Sequence, residues 1–178
     1  MHSQQVTLGL INVAGGIAVI GSYAYGLWTH PANRGAIWGG VPDTIKPLYT
    51  VSMLLAALGY FAFSYLILFR LDPDQVQIGH HFGFKAFYVL YAVILAFSAL
   101  WMPLTFAMVS HPSTGLWVGI RLTLIIVGLG SLGVLAALLY LEPRQPPLFY
   151  WLAVGGSALF CLQTAVLDAL VWPAFYKY

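Results

Sequence analysis

Two ionisable residues interrupt long apolar runs: Arg121 in LWVGIRLTLIIV and Asp168 in LQTAVLDALVW. Charge inside such a run is expensive and persists where it is paired, turned toward an interior, or drawn to the membrane surface. The two residues lie equally far along the chain from the middle of the turn EPRQPP. An antiparallel hairpin would therefore set them at matching depth. The chemistry open to them is an ion pair, a contact to a ligand, or an arginine that snorkels to the headgroups.

A third run, FSALWMPLTFA, carries Trp101 and Pro103 two residues apart. Proline removes an amide donor and bends a helix; here it frees the carbonyl of Ala99, which neighbouring helices or side chains must satisfy. A bend at this depth would open a gap beside Trp101. Trp28 ends the first run, Trp38 follows it, Trp117 begins the fourth and Trp172 closes the fifth. All five tryptophans fall on one side of the bundle, and Trp151 falls on the other. An interfacial aromatic belt decorates both sides, so the one-sided cluster also suits a pocket. The candidate ligand-binding set is Trp28, Trp38, Trp101, Pro103, Arg121, Asp168 and Trp172.

Catalytic signatures are thin. There are no paired acids, no His-x-x-x-His and no nucleophile elbow, and Asp72 and Asp74 beside Pro73 read as solvated turn residues. His30 and His111 end neighbouring runs on the tryptophan side, where two imidazoles could ligate a haem iron axially; interfacial hydrogen bonding is their commoner use. No other metal site and no required cofactor is expected. GLGSLG (Gly128–Gly133) matches a dinucleotide-binding pattern, but that motif needs a strand before it. Inside an apolar run it reads as small-residue helix packing, as do Gly115/Gly119 and Ser22/Gly26.

The elements that must position these residues follow from composition. Hydrophobic residues make up 61% of the 178 and charged residues 7%, where soluble domains carry about 25% charged. A bilayer core about 30 Å thick needs roughly 20 apolar residues per helix. Five runs qualify: Val6–Thr29, Leu48–Phe69, Ala86–Val109, Leu116–Leu141 and Leu148–Trp172. The expectation is an all-α membrane protein, one domain over residues 1–178 forming a five-helix transmembrane bundle. MHSQQ lacks the basic residues of a signal peptide, so the first run is expected to be retained. The single cysteine, Cys161, allows no intrachain disulfide, and a net charge of +2 without a basic tract excludes nucleic acid as a partner.

The run AFSALWMPLTFAM resembles the third helix of the TspO/translocator protein family (tryptophan-rich sensory protein, peripheral benzodiazepine receptor). Trp101 and Pro103 match its Trp-x-Pro, with Ser98 where the family usually has Asn. The first connector, closing on Lys46–Pro47 and Leu48–Tyr49, is similar to a reduced form of that family's Trp- and Pro-rich loop, and Leu167–Asp168 resembles its late Leu-Asn. The connector has one Trp and no Pro-Pro, and the usual Trp early in the second helix is missing. The resemblance implies a cavity opening near the first connector, a dimer, and binding of sterols or of tetrapyrroles such as protoporphyrin IX or haem. Trp38, Trp101 and Asp168 would line it.

The combined expectation is a membrane protein that binds a flat hydrophobic molecule as sensor, receptor, carrier or scavenger, with binding ahead of chemistry. An accessory subunit of a respiratory or photosynthetic complex is the alternative, and a small lipid-modifying enzyme the third. The lipid bilayer, a homodimer or a larger membrane complex are the expected partners.

Overall fold

The computed structural model describes residues 2–176. Helix α1 (Ser3–Thr29) starts where His2 caps it: His2 Nδ1 accepts from Gln4 N at 3.3 Å, and Gln5 Oε1 accepts from His2 N at 3.0 Å. α2 (Lys46–Tyr65) and α5 (Pro147–Cys161) carry proline in the first turn, where no helical donor is lost. α4 (Thr114–Leu139) is capped by Ser113, whose Oγ accepts from Leu116 N at 3.2 Å. α3 (Ala86–Ser110) continues through Pro103. Two helices run on into wide π turns, α2 through Leu66–Arg70 and α5 through Leu162–Val171, the latter leading into α6 (Trp172–Phe175).

With these continuations, five helices are long and apolar enough to cross a membrane. The chain is an all-α bundle, as its composition requires. The ends shift by a few residues because caps and prolines fix them. Leu141, expected in the fourth run, instead leaves α4: β1 (Gln77–Ile78) and β2 (Leu141–Glu142) pair antiparallel, Ile78 opposite Leu141. The polar second connector thereby folds inward and buries Leu71, Val76, Ile78 and Phe84.

The packing order is a ring with one break. α1 lies on α3, α3 on α4, α4 on α5 and its π continuation, and α5 on α2. No comparable interface joins α1 to α2; α1 meets that helix instead at its π end. Glycines allow the closest contacts. A Cβ at Gly59 would run into the carbonyl oxygen of Gly156, so α2 and α5 touch backbone to backbone. In GLGSLG, Gly130 and Gly133 receive Ile94 and Leu90 of α3, and Gly128 receives Ala165 of the π segment. Gly26 likewise receives Met102 and Phe106, but Gly115 meets open space and a Cβ at Gly119 would still stand 3.9 Å from Leu104, so that expected close contact does not form.

Buried side chains fall into two clusters. One, near the β ribbon, contains Phe63, Phe87, Tyr91 and Leu138; the other, at the tryptophan end, contains Tyr49, Ile120, Leu124, Ala169 and Trp172. Residues of both border a large space that opens at the bundle surface.

Candidate functional site

The first connector closes the tryptophan end. Pro31–Trp38 coils into a 3-10 helix whose Ile37 carbonyl accepts from Trp172 Nε1 at 2.9 Å. Gly40 lies so near the carbonyl of Phe175 that no side chain would fit, and Arg34 Nε donates to Leu27 O at 3.0 Å. Lys46 Nζ, 2.6 Å from Asp43 Oδ1, holds that exposed carboxyl below its ordinary range.

Beneath this lid is a chamber of about 50 Å³ lined by Tyr23, Ile37, Trp38, Tyr49, Met53, Trp101, Asp168 and Trp172. The Trp101 ring stands 5.6 Å from Tyr23 and meets Trp172 edge-on at 5.9 Å. Tyr23, Met53, Trp101 and Asp168 also line a larger cavity of about 640 Å³, so the two spaces adjoin. That volume lies in the range of ligand sites, about 300–1,000 Å³.

Asp168 owes its direction to the π turn. Bonding from i to i+5 brings residues five apart onto one face, and Gln163 Nε2 donates to Asp168 Oδ1 at 2.8 Å. The carbonyl of Leu167, which takes the Trp172 N–H, also accepts from Tyr49 Oη at 3.0 Å. The same winding separates Asp168 from Arg121. Among the described residues the ion pairs are His2–Asp74 at 3.4 Å and Lys46–Asp43. Arg121 instead places its guanidinium 5.9 Å from the ring of Trp117, one turn back on α4. The expected Arg121–Asp168 pair is therefore absent. Their depths do match, since Ile120, Leu124 and Ala169 share one cluster; it is the direction around the helix that differs.

No family model, curated protein or solved structure matches this chain.

Of the seven candidate residues, Trp38, Trp101, Asp168 and Trp172 converge on the chamber. Trp28 does not: it is 79% exposed on the outside of α1. Pro103 is exposed on α3, on the far side of the backbone from the cavity-lining Trp101, and neither it nor Arg121 lines either space. His30 and His111 are also absent from the lining. His30 stacks on Phe106 at 4.5 Å with its Nδ1 2.9 Å from Thr29 Oγ1, and His111 is exposed beyond α3. Axial haem ligation by this pair finds no support in that placement. Among the described residues no group of three His, Cys, Asp or Glu gathers to hold a metal.

Three residues matter that sequence reasoning passed over. Asn12, Tyr60 and Gln163 line the cavity with Trp101; Tyr60 Oη is turned toward Ser64 and Asn12, while Gln163 Oε1 and Trp101 Nε1 are buried without a hydrogen-bond partner. These side chains set amide, phenol and indole groups into a largely apolar wall. The amides of Asn12 and Gln163, each within an apolar run, were the signal. The cavity wall also includes Val13, Ile17 and Ile20 of α1 and Phe61 of α2, 62%, 68%, 72% and 68% exposed. The unfilled space thus extends to the bundle surface at the break between α1 and α2.

Proposed function

We propose that this is a multi-pass membrane protein that binds a flat hydrophobic small molecule, a tetrapyrrole such as protoporphyrin IX or a sterol-like lipid, as sensor, carrier or scavenger. The observation that carries the reading is the cavity of about 640 Å³ ending in an indole-lined chamber. A large apolar ligand gains about 25 cal/mol for each Å² removed from water, and rings such as Trp101 and Tyr23 offer stacking faces. Since no histidine lines the space, a tetrapyrrole would be held by its faces and edges rather than through a metal. A distant relationship to the TspO/translocator family belongs to this proposal; Trp101 in the wall, followed by Pro103, supports it.

The test is a titration of the purified protein in lipid nanodiscs with protoporphyrin IX and with cholesterol, read by tryptophan quenching. A saturable response, weakened by Trp101→Phe or Trp38→Phe, supports the reading. Absence of saturation with both probes overturns it. A second reading, an accessory subunit or a homodimer, is favoured by the apolar exterior of α1, where Leu10, Tyr25 and Trp28 are all more than 60% exposed. Purification solely as part of a stoichiometric complex would favour that alternative.

A further inference from the structure

Among the described residues, Asp168 is the one charged side chain that lines either the chamber or the larger cavity. Its Oδ1 accepts from Gln163 Nε2 at 2.8 Å, and no described cation lies within ion-pair distance. Lys46, 5.7 Å from the Trp38 ring, is paired with Asp43, and Arg121 stands over Trp117. An acid inside a membrane span pairs with a partner or faces a cavity. Here it faces a cavity and lacks a counter-charge. Asp168, Tyr23, Trp38 and Trp101 are each half-buried, so each keeps surface open beside the chamber they share.

The surrounding aromatics offer rings rather than donors. Trp172 Nε1 donates to Ile37 O and Tyr49 Oη donates to Leu167 O, so both polar hydrogens are committed to backbone. Aromatic rings and a carboxylate together attract a cation and disfavour an anion. The chamber of about 50 Å³ has room for roughly four groups of water size, enough for a methylated ammonium head. The adjoining cavity of about 640 Å³, open at the break between α1 and α2, has room for an apolar body. We propose that the chamber binds the head of a lipid-soluble tertiary amine. The ammonium N–H donates to the Asp168 carboxylate, the methyl groups lie against the rings of Trp38, Trp101 and Trp172, and the apolar body fills the larger cavity. Charge-assisted hydrogen bonds are about twice as strong as neutral ones, so a hydroxyl head in the same place binds more weakly. This deepens the proposed function and rests on it, since it names the head group that the flat hydrophobic guest would carry.

The test uses radiolabelled probes that share one flat body: cholesterol, an analogue whose hydroxyl is replaced by dimethylamino, and the anionic hemisuccinate ester. Each equilibrates between empty nanodiscs and nanodiscs holding the protein, and the excess in the latter measures binding beyond simple partition. The expected result is that the amine binds about tenfold tighter than cholesterol, with the hemisuccinate weakest. Asp168→Asn, checked for helical content, should bring the ratio of amine to cholesterol affinity close to one while cholesterol binding stays. Trp38→Leu, which removes a ring and no charge, should lower that ratio several-fold. Equal affinity of the amine and cholesterol for the unaltered protein overturns the inference, and so does a ratio that survives either substitution. If cholesterol or protoporphyrin IX binds and the amine is not preferred, the inference alone fails; if no probe shows a saturable excess, both fail.

Discussion

The contact between α2 and α5 at Gly59 and Gly156 gives the most direct test of the packing. A methyl added to Gly156 would stand 2.8 Å from Gly59 Cα and 2.9 Å from its carbonyl oxygen. Ordinary contact begins near 3.4 Å, so the helices must part by about 0.6 Å (3.4 less 2.8) or the side chain must strain. A gap of 0.5–1 Å forfeits roughly a quarter to a half of each dispersion contact along the interface, and overpacking costs about 1–3 kcal/mol. Gly156→Ala is therefore expected to destabilise by about 2 kcal/mol, and Gly59→Ala, which meets the Gly156 carbonyl itself, by at least as much. Gly155 is the control. Nothing lies within 4 Å of a Cβ there, so Gly155→Ala keeps the helix-propensity gain of roughly 0.5–1 kcal/mol that any Gly→Ala change brings. Thermal or denaturant unfolding in one detergent, with all three variants side by side, measures the difference. If Gly59→Ala and Gly156→Ala behave like Gly155→Ala, the backbone contact is not there.

Two further outcomes are expected. Trp172→Phe removes the hydrogen bond to Ile37 that pins the first connector, which should cost about 1 kcal/mol and speed protease cleavage within Pro31–Trp38; unchanged cleavage would mean that the lid is held by other contacts. Arg121→Ala and Asp168→Asn, which the structure leaves unpaired, should combine additively to within about 0.3–0.5 kcal/mol, and a larger coupling in a double-mutant cycle would restore the ion pair.

The five long helices were legible because a bilayer sets their length: each apolar run holds the roughly 20 residues of a spanning helix, about twice what a barrel strand needs. The gathering of Trp38, Trp101, Trp117 and Trp172 at one end was legible too, as a one-sided bias against the belt expectation. Trp28 was misplaced because a tryptophan at the end of a run looks the same in sequence whether it faces outward or inward. Asp168 was placed at the right depth and at the pocket, and only its pairing with Arg121 was misjudged. Depth follows from counting residues along a hairpin, whereas direction depends on the local winding, and nothing in LQTAVLDALV announces a π turn. The ribbon pairing Ile78 with Leu141 was hidden for a related reason: two-residue strands leave no periodicity to read.

The pinned connector and the break between α1 and α2 have a joint consequence for exchange. Placed in a bilayer, the aqueous end is stoppered by Trp172 and Ile37, while the seam between Ile17 and Phe61 faces acyl chains. Under the proposed function, traffic would then run sideways, and occupancy would track the mole fraction of guest dissolved in the lipid rather than its concentration in water. Diluting a loaded sample with empty vesicles would strip the protein, whereas the same dilution with buffer would leave it filled.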